Sequence, residues 1–291
     1  MTKSFDPKVF TTAAGTPYLK EPGVALIAQP SFDPMAFTTF VNSYGDTFDA
    51  ADYENDFFHK AMSRATDELA HDDGASLVKA AGQLCYLSFG EKRSRSVDMK
   101  KYIDNIMSSK HGSCLEHVNY SVVVWGIDRA CSHELVRHRA GVAYSQMSQR
   151  YVDGKTLRVV EREEYQNDPS LHQMFEDTID FAVYDYDQRA GQLLMTMPVT
   201  GTATERRKAV NSAARNCLPN ETETAMVMTA NARAWRHVFE MRASRFADSP
   251  IRTLALRIHE VLNDVAPFFF GDFERKEGDG KTWLEPAYSK V

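Results

Sequence analysis

Between residues 118 and 125 the chain alternates, with Val118, Tyr120, Val122 and Val124 on one face, which predicts a strand packed on one side. The apolar runs 24–28, 157–160 and 224–229 also read as strands. Elsewhere the period lengthens to that of a helix. Leu77, Val78, Ala81 and Leu84 fall at helical spacing within 75–87, and Tyr102, Ile103 and Ile106 share one side of a helix over 97–107. Asp128 is placed to cap a helix that carries Leu135 and Val136. Asp168-Pro169 is a helix start, with the acid as cap and the proline in the first turn. The helix it opens extends to the region of Met195, with Leu171, Met174, Phe175, Phe181 and Leu193 as its core face. Further helices follow over 204–215 and from 230 to the region of Met241. Ser249-Pro250 opens the last long one, with Ile251, Leu254, Ile258 and Leu262 at core spacing.

One stretch, 137–151, breaks the pattern. It reads R-H-R-A-G-V-A-Y-S-Q-M-S-Q-R-Y, and Val142, Ala143, Tyr144 and Met147 make no sustained helical stripe. Arginines beside short hydroxyls and amides are what a protein uses to hold phosphate or another oxyanion. Glu134, three residues before Arg137 and four before His138, offers the mundane alternative of a helix-surface ion pair. Two later segments repeat the theme. Arg215-Asn216-Cys217-Leu218-Pro219 closes a helix, where an arginine also suits the helix dipole. Asn231-Ala232-Arg233 stands where a strand meets a helix, a place that presents free N–H groups to anions, with Arg236, His237 and Arg242 following. Arg233 and Arg242 are nine residues apart, so they face opposite sides of that helix. His111, Ser113, Glu116 and His117 form a polar knot just before the strand at 118, too sparse in ligands for a metal centre.

Composition narrows the class. The 291 residues carry 43% hydrophobic and 25% charged side chains, the profile of a soluble globular protein. A formal net charge of −6 argues against a nucleic-acid polymer as partner and for a small anion held by a local basic cluster. The four cysteines are well separated, and neither a signal peptide nor a membrane span is visible, so a reduced, cytoplasmic chain with no membrane association is expected. Residues 1–22 read as an irregular arm, 23–271 as a single domain and 272–291 as a charged surface tail. The run from Asp46 to Asp56 reads as a solvated acidic loop and Lys92 to Arg95 as a basic turn.

Taken in order, four segments resemble the flavin-dependent thymidylate synthases. They are the 111–117 knot (family form G-H-x-S-x-x-E-H), the R-H-R…S-x-R-Y stretch, Arg215-x-x-Leu218-Pro219, and Asn231-x-Arg233 with Arg242. The resemblance covers 75–267 and implies an α/β (α+β) fold with a mixed sheet, long helices and active sites between subunits of a homotetramer. It implies that FAD is held by Ser113, Glu116, Arg137, His138, Arg139, Gln146, Asn231, Arg233 and His237, with His111 near the flavin ring and folate. For dUMP it implies Glu134, Arg137, Gln146, Ser148, Gln149, Arg150, Arg215 and Arg242. Arg242, placed against the uracil, would be catalytic; no metal is implied. The reaction would be reductive methylation of dUMP to dTMP, with 5,10-methylenetetrahydrofolate giving the carbon and NADPH reducing the FAD. This chain has eight residues rather than seven between Arg139 and Ser148, a glutamate at 134 where the family usually has glutamine, and His237 where asparagine can contact flavin. Alternatives are a related flavin-dependent uridylate C5-methylase or hydroxymethylase, and a non-catalytic flavin- or nucleotide-binding protein.

Overall fold

The structure, a computed structural model, describes residues 2–44, 72–88, 98–198 and 201–291; the acidic run 46–56 and the basic turn 92–95 lie outside them. The chain opens with short strands β1 (Ser4–Phe5), β2 (Val9–Thr11) and β3 (Pro17–Leu19), then β4 (Gly23–Ala28) and helix α1 (Pro34–Asn42). Helices α2 (Asp73–Tyr86) and α3 (Met99–Ser108) follow, capped by Asp72 and Asp98, and a 3-10 turn over Gly112–His117 leads into β5 (Asn119–Asp128). Asp128 caps α4 (Arg129–Leu135), its carboxylate accepting from the Cys131 N–H. Next come β6 (Val142–Gln146), β7 (Val159–Val160), the short α5 (Glu163–Gln166) and α6 (Pro169–Thr196), begun by Asp168-Pro169. Helix α7 (Ala203–Ala214), strand β8 (Glu223–Asn231), helix α8 (Ala232–Arg242) and helix α9 (Ser249–Val265) complete the centre. Helix α10 (Pro267–Phe270) and strands β9 (Phe273–Gly278) and β10 (Lys281–Pro286) end the chain.

The fold is of the mixed helix-and-sheet α/β class. Its main sheet has the order β1-β4-β5-β8-β6, every neighbouring pair antiparallel. Among the described residues the one parallel pairing, β3 with β7, belongs to a separate three-stranded sheet. Strands β5 and β8 bury alternate residues, and α8, α9 and α10 cover that face through Trp235, Phe239, Ile251, Leu254, Ile258, Leu262, Phe269 and Phe270. This is the amphipathic logic of strand and helix working together: period 2 meets period 3.6 across one apolar layer. Between Val124 and Ile127 the β5–β8 register shifts, and the Gly126 N–H turns to Glu223 Oε1 at 2.8 Å. Arg158 holds that buried carboxylate with two bonds of 2.6 Å.

Four expectations need correction. The arm expected over 1–22 is not irregular in its described residues, 2–22, because β1 extends the main sheet and Tyr18 and Leu19 are buried beside Val159 and Val160. Strands of two or three residues are too short to leave a periodic trace. Residues 272–291 do not lie as a tail. They form the β9–β10 hairpin, turned at Asp279-Gly280 with φ of 50° and 69°, and Phe273 and Leu284 enter the core. Helix α6 buries Phe175, Ile179, Ala182 and Tyr186, whereas Met174 and Phe181 are 62% and 66% exposed and Leu171 is exposed too. Its apolar residues therefore divide between the core and a face left open in the single chain. In α2, Leu84 likewise points outward while Val78 is buried.

Candidate functional site

Strand β8 runs into α8 at Asn231, and three segments meet there. The Asn231 side chain accepts from the Ala234 N–H at 2.8 Å and so caps the helix. Its own N–H donates to Gly141 O at 3.1 Å, while the next N–H, of Ala232, donates to Val118 O at 2.8 Å. Gly141 has φ +70°, and a Cβ there would stand 2.4 Å from Asn231 Nδ2. Only glycine lets the R-H-R loop close over the cap. Arg233, one residue into the helix, donates from Nη1 to Glu116 Oε1 at 2.6 Å and from Nε to Val291 O at 3.1 Å. Gly112 lies beneath it; a Cβ there would come within 2.8 Å of Arg233 Nε. Glu116, Gly141, Asn231, Arg233 and His237 thus line one cavity of about 430 Å³.

The other end of α8 carries Arg242. Its Nη1 donates to Glu134 Oε2 at 2.5 Å, its Nη2 to Glu134 O at 3.2 Å and its Nε to His138 Nε2 at 2.9 Å. Glu134 therefore pairs with Arg242 and not with Arg137, which is exposed. Because His138 Nε2 accepts, the ring proton resides on Nδ1. His138 is buried, with the His237 ring 5.4 Å away. Burial, then the Arg242 and His237 charges, push its pKa down from 6.5 to about 4. Tyr144 fixes the loop from β6, its hydroxyl facing Leu135 O at 2.6 Å and His138 O at 3.0 Å.

A depressed pKa means the fold favours neutral His138, so its stabilising share is complete above pH 6.5 and is lost as pH falls through 4. We expect acidification from pH 7 to 4 to destabilise the parent more than His138→Gln, which keeps an acceptor but cannot titrate. The expected difference is on the order of 2–3 kcal/mol. Denaturant midpoints across that range check it, and parallel curves for the two proteins would refute it.

Helix α4 links this cluster to a second one. Gln146 Nε2 donates to Ser132 Oγ and Thr224 Oγ1, both at 3.1 Å, and Arg129 Nη1 reaches Thr224 Oγ1 at 3.5 Å. Burial and the nearby Arg215 charge both lower the pKa of Arg129. Neither arginine has a carboxylate partner among the described residues. An arginine that the fold leaves without a counter-ion is a candidate partner for an anion. Arg129 was not among the candidates read from sequence. A visible signal existed, because an arginine in the first turn of a helix opposes the dipole and needs another reason to be there.

The remaining candidates are spread more widely. Arg150 donates from Nε to Ser212 Oγ on α7 at 3.1 Å, and its N–H reaches Ser148 Oγ at 3.3 Å. Gln149 is half-buried in the same turn, and Arg139 is exposed. No bond joins Arg150 to Arg242 within the described chain. His111 and Ser113 line a neighbouring cavity of about 600 Å³ that also touches Arg233. Arg236, grouped with these residues by sequence, instead faces the core and is held by Asp272. Burial pushes the thiols of Cys114, Cys131 and Cys217 upward, so none of these three is activated.

The donor set fits a flavin nucleotide. Two glycines open the cavity walls to close approach, Arg233 stands at a helix N-terminus, and Arg137 and Arg139 are unpaired among the described residues.

The family model described as thymidylate synthase complementing protein matches residues 69–268. The chain is 42% identical over 203 residues to a flavin-dependent thymidylate synthase of Mycolicibacterium gilvum, covering 70% of this chain and 81% of the relative. The protein of the same name from Mycobacterium avium gives 42% over 203 residues, and that from Corynebacterium diphtheriae 40% over 205, with the same coverage.

Proposed function

The chain belongs to the flavin-dependent thymidylate synthase family, and from that premise we propose that it converts dUMP to dTMP by reductive methylation. In this reading the β1–β3 strands and the β9–β10 hairpin belong with residues 23–271 to one flavin-dependent domain, 5,10-methylenetetrahydrofolate gives the carbon and NADPH is the reductant. FAD, when bound, supplies the two-electron reduction that turns the transferred one-carbon unit into a methyl group.

The chain's own residues bind and polarise. The Arg129–Arg215 pair, with Ser148, Gln149 and Arg150, takes the nucleotide phosphate; Arg150 completes a site from a neighbouring copy. Arg242 has five N–H donors, three of them engaged by Glu134 and His138. The two left free meet the uracil carbonyl, where negative charge accumulates as C5 becomes nucleophilic. Glu134 and neutral His138 orient that guanidinium, and the Glu134–Arg242 pair cancels a carboxylate charge that would otherwise repel the phosphate. Ser113, Glu116, Asn231, Arg233 and His237 hold the flavin, with Arg137 and Arg139 reaching its phosphates and His111 at the ring.

The observation that carries this reading is the Glu134–Arg242–His138 arrangement at the opposite end of α8 from the Asn231–Arg233 cradle. One helix thereby addresses two ligands. Tritium release from C5-labelled dUMP or UMP, with NADPH and methylenetetrahydrofolate, tests it. Release from dUMP is expected, and turnover of UMP alone would overturn the substrate assignment. A purified protein that is yellow and bleaches with NADPH under anaerobic conditions separates the enzyme from a non-catalytic binder.

Assembly is part of the proposal. Met174, Phe181, Tyr184 and Met195 on α6, together with Phe246 at 94% exposure, leave apolar area that a homotetramer would cover. No helix among the described residues is long and apolar enough to cross a membrane. A cytoplasmic tetramer acting on small molecules is the reading these features support.

A further inference from the structure

Lys110 occupies a backbone position that its own Cβ disfavours. Helix α3 ends at Ser109, after which the Lys110 N–H donates to Met107 O at 3.1 Å and the His111 N–H to Ile106 O at 2.9 Å. This pair of bonds ends a helix by turning the residue after the cap left-handed, a place taken most often by glycine. Lys110 adopts that conformation with φ 57°. The family form quoted above has glycine there. The lysine side chain is exposed and makes no ion pair among the described residues, so local packing gives no compensation for the strain. A strained residue at the edge of a cavity points to function.

The cavity it lines is the one of about 600 Å³, shared with Gln83, Tyr102, His111, Ser113 and Arg233. Its described lining holds two permanent cations and no carboxylate; Arg233 is already paired with Glu116, whereas Lys110 is not paired among the described residues. Inside, Gln83 is 2% exposed; its Nε2 donates to Ser88 O at 3.2 Å, while its Oε1 has no partner. With no counter-ion among the described residues, Lys110 gives the cavity a positive charge at its edge, which suits a ligand bearing an anionic group. The flavin cradle lies next door, across Arg233 and Gly112.

We propose that this cavity receives the anionic end of a cosubstrate approaching the flavin, and that Lys110 selects it by charge. The inference rests on the reading above, in which the cosubstrates are a carboxylate-bearing folate and a phosphate-bearing nicotinamide nucleotide. Lys110→Gly in the full-length flavin-loaded protein separates the possibilities. Relief of the left-handed strain is expected to raise Tm by roughly 2–4 °C, so the variant folds. The KM for one cosubstrate is expected to rise about five-fold or more while kcat and flavin affinity stay close to the parent's. Lys110→Arg should restore that KM, and 0.5 M salt should narrow the gap between parent and Lys110→Gly.

Two arms identify the source of the anion. A KM effect larger for polyglutamylated than for monoglutamyl methylenetetrahydrofolate assigns the folate carboxylates, and one seen with NADPH but not NADH assigns the 2′-phosphate. Unchanged KM values for both cosubstrates, or a loss of flavin affinity instead, would overturn the inference. Equilibrium titration of methylenetetrahydrofolate and NADPH into both proteins keeps the two readings apart. A parent that binds them more tightly than Lys110→Gly but does not methylate dUMP retains the cavity assignment and loses the reaction.

Discussion

Arg242→Ala is expected to lower kcat/KM for dUMP by about three orders of magnitude or more while the protein remains yellow. The size follows from two losses at one place. The free N–H donors that meet the developing charge on the uracil are gone, and the Glu134 carboxylate, now paired at 2.5 Å, is left bare toward an anionic nucleotide. Flavin retention should survive because the cradle at Asn231 and Arg233 lies two and a half turns away, on the opposite side of α8. Adding Glu134→Gln removes the bare charge, so the double variant should recover part of the dUMP affinity without recovering kcat. Tritium release and the flavin absorption spectrum measure both quantities. A colourless Arg242→Ala protein, or one within ten-fold of parental turnover, would show that the guanidinium acts elsewhere.

The largest effect on stability is expected at Arg236. It is 2% exposed and donates to Phe269 O at 2.5 Å, to Asp272 Oδ1 and Oδ2 at 2.5 and 2.9 Å and to Tyr288 O at 2.6 Å, over the Phe273 ring. Truncation leaves a mostly buried carboxylate and two carbonyls without their donor, and breaking a buried pair on one side costs about 3–5 kcal/mol. Arg236→Met should therefore lower Tm by roughly 6–15 °C. Arg236→Met/Asp272→Leu should recover part of it, since the isolated charge is then absent. The effect should reach the site. Asp272 also accepts from the Tyr288 N–H at 3.0 Å and anchors the segment that brings Val291 O against Arg233. Weaker flavin retention should accompany the lower Tm, and thermal unfolding followed by both flavin release and circular dichroism checks it. Parental Tm in Arg236→Met would refute the structural role.

Much of the fold was legible from local pattern. The Asp168-Pro169 start of α6, the Asp128 cap of α4, the alternation in β5 and the apolar face of α9 are all observed where sequence placed them. Sequence does not reveal strand β6, because its five residues, Val142 to Gln146, alternate only partly buried with exposed positions and pairing with β8 is what defines it. The exposed residues of α6 were misread for a different reason. A periodic apolar face says that something covers it, but not whether that cover is the same chain. The basic stretch 137–151 was visible as chemistry, yet its members divide: His138 turns inward to Arg242, Arg137 and Arg139 turn outward, and Arg150 leans on α7.

By itself the sequence determined which segments coil or extend, where several helices begin, and that four motif-bearing segments ally this chain with enzymes that use a flavin. Those properties depend on residues a few positions apart, where caps and periods of 2 or 3.6 operate. Tertiary structure alone decided that Glu134 neutralises Arg242 across 108 residues, that burial favours the neutral form of His138, that Arg129 reaches Thr224 on β8, and that Arg236 belongs to the core. Charge, burial and desolvation act through space, and the same arginine is a ligand arm or a buried strut according to what the folded chain places around it.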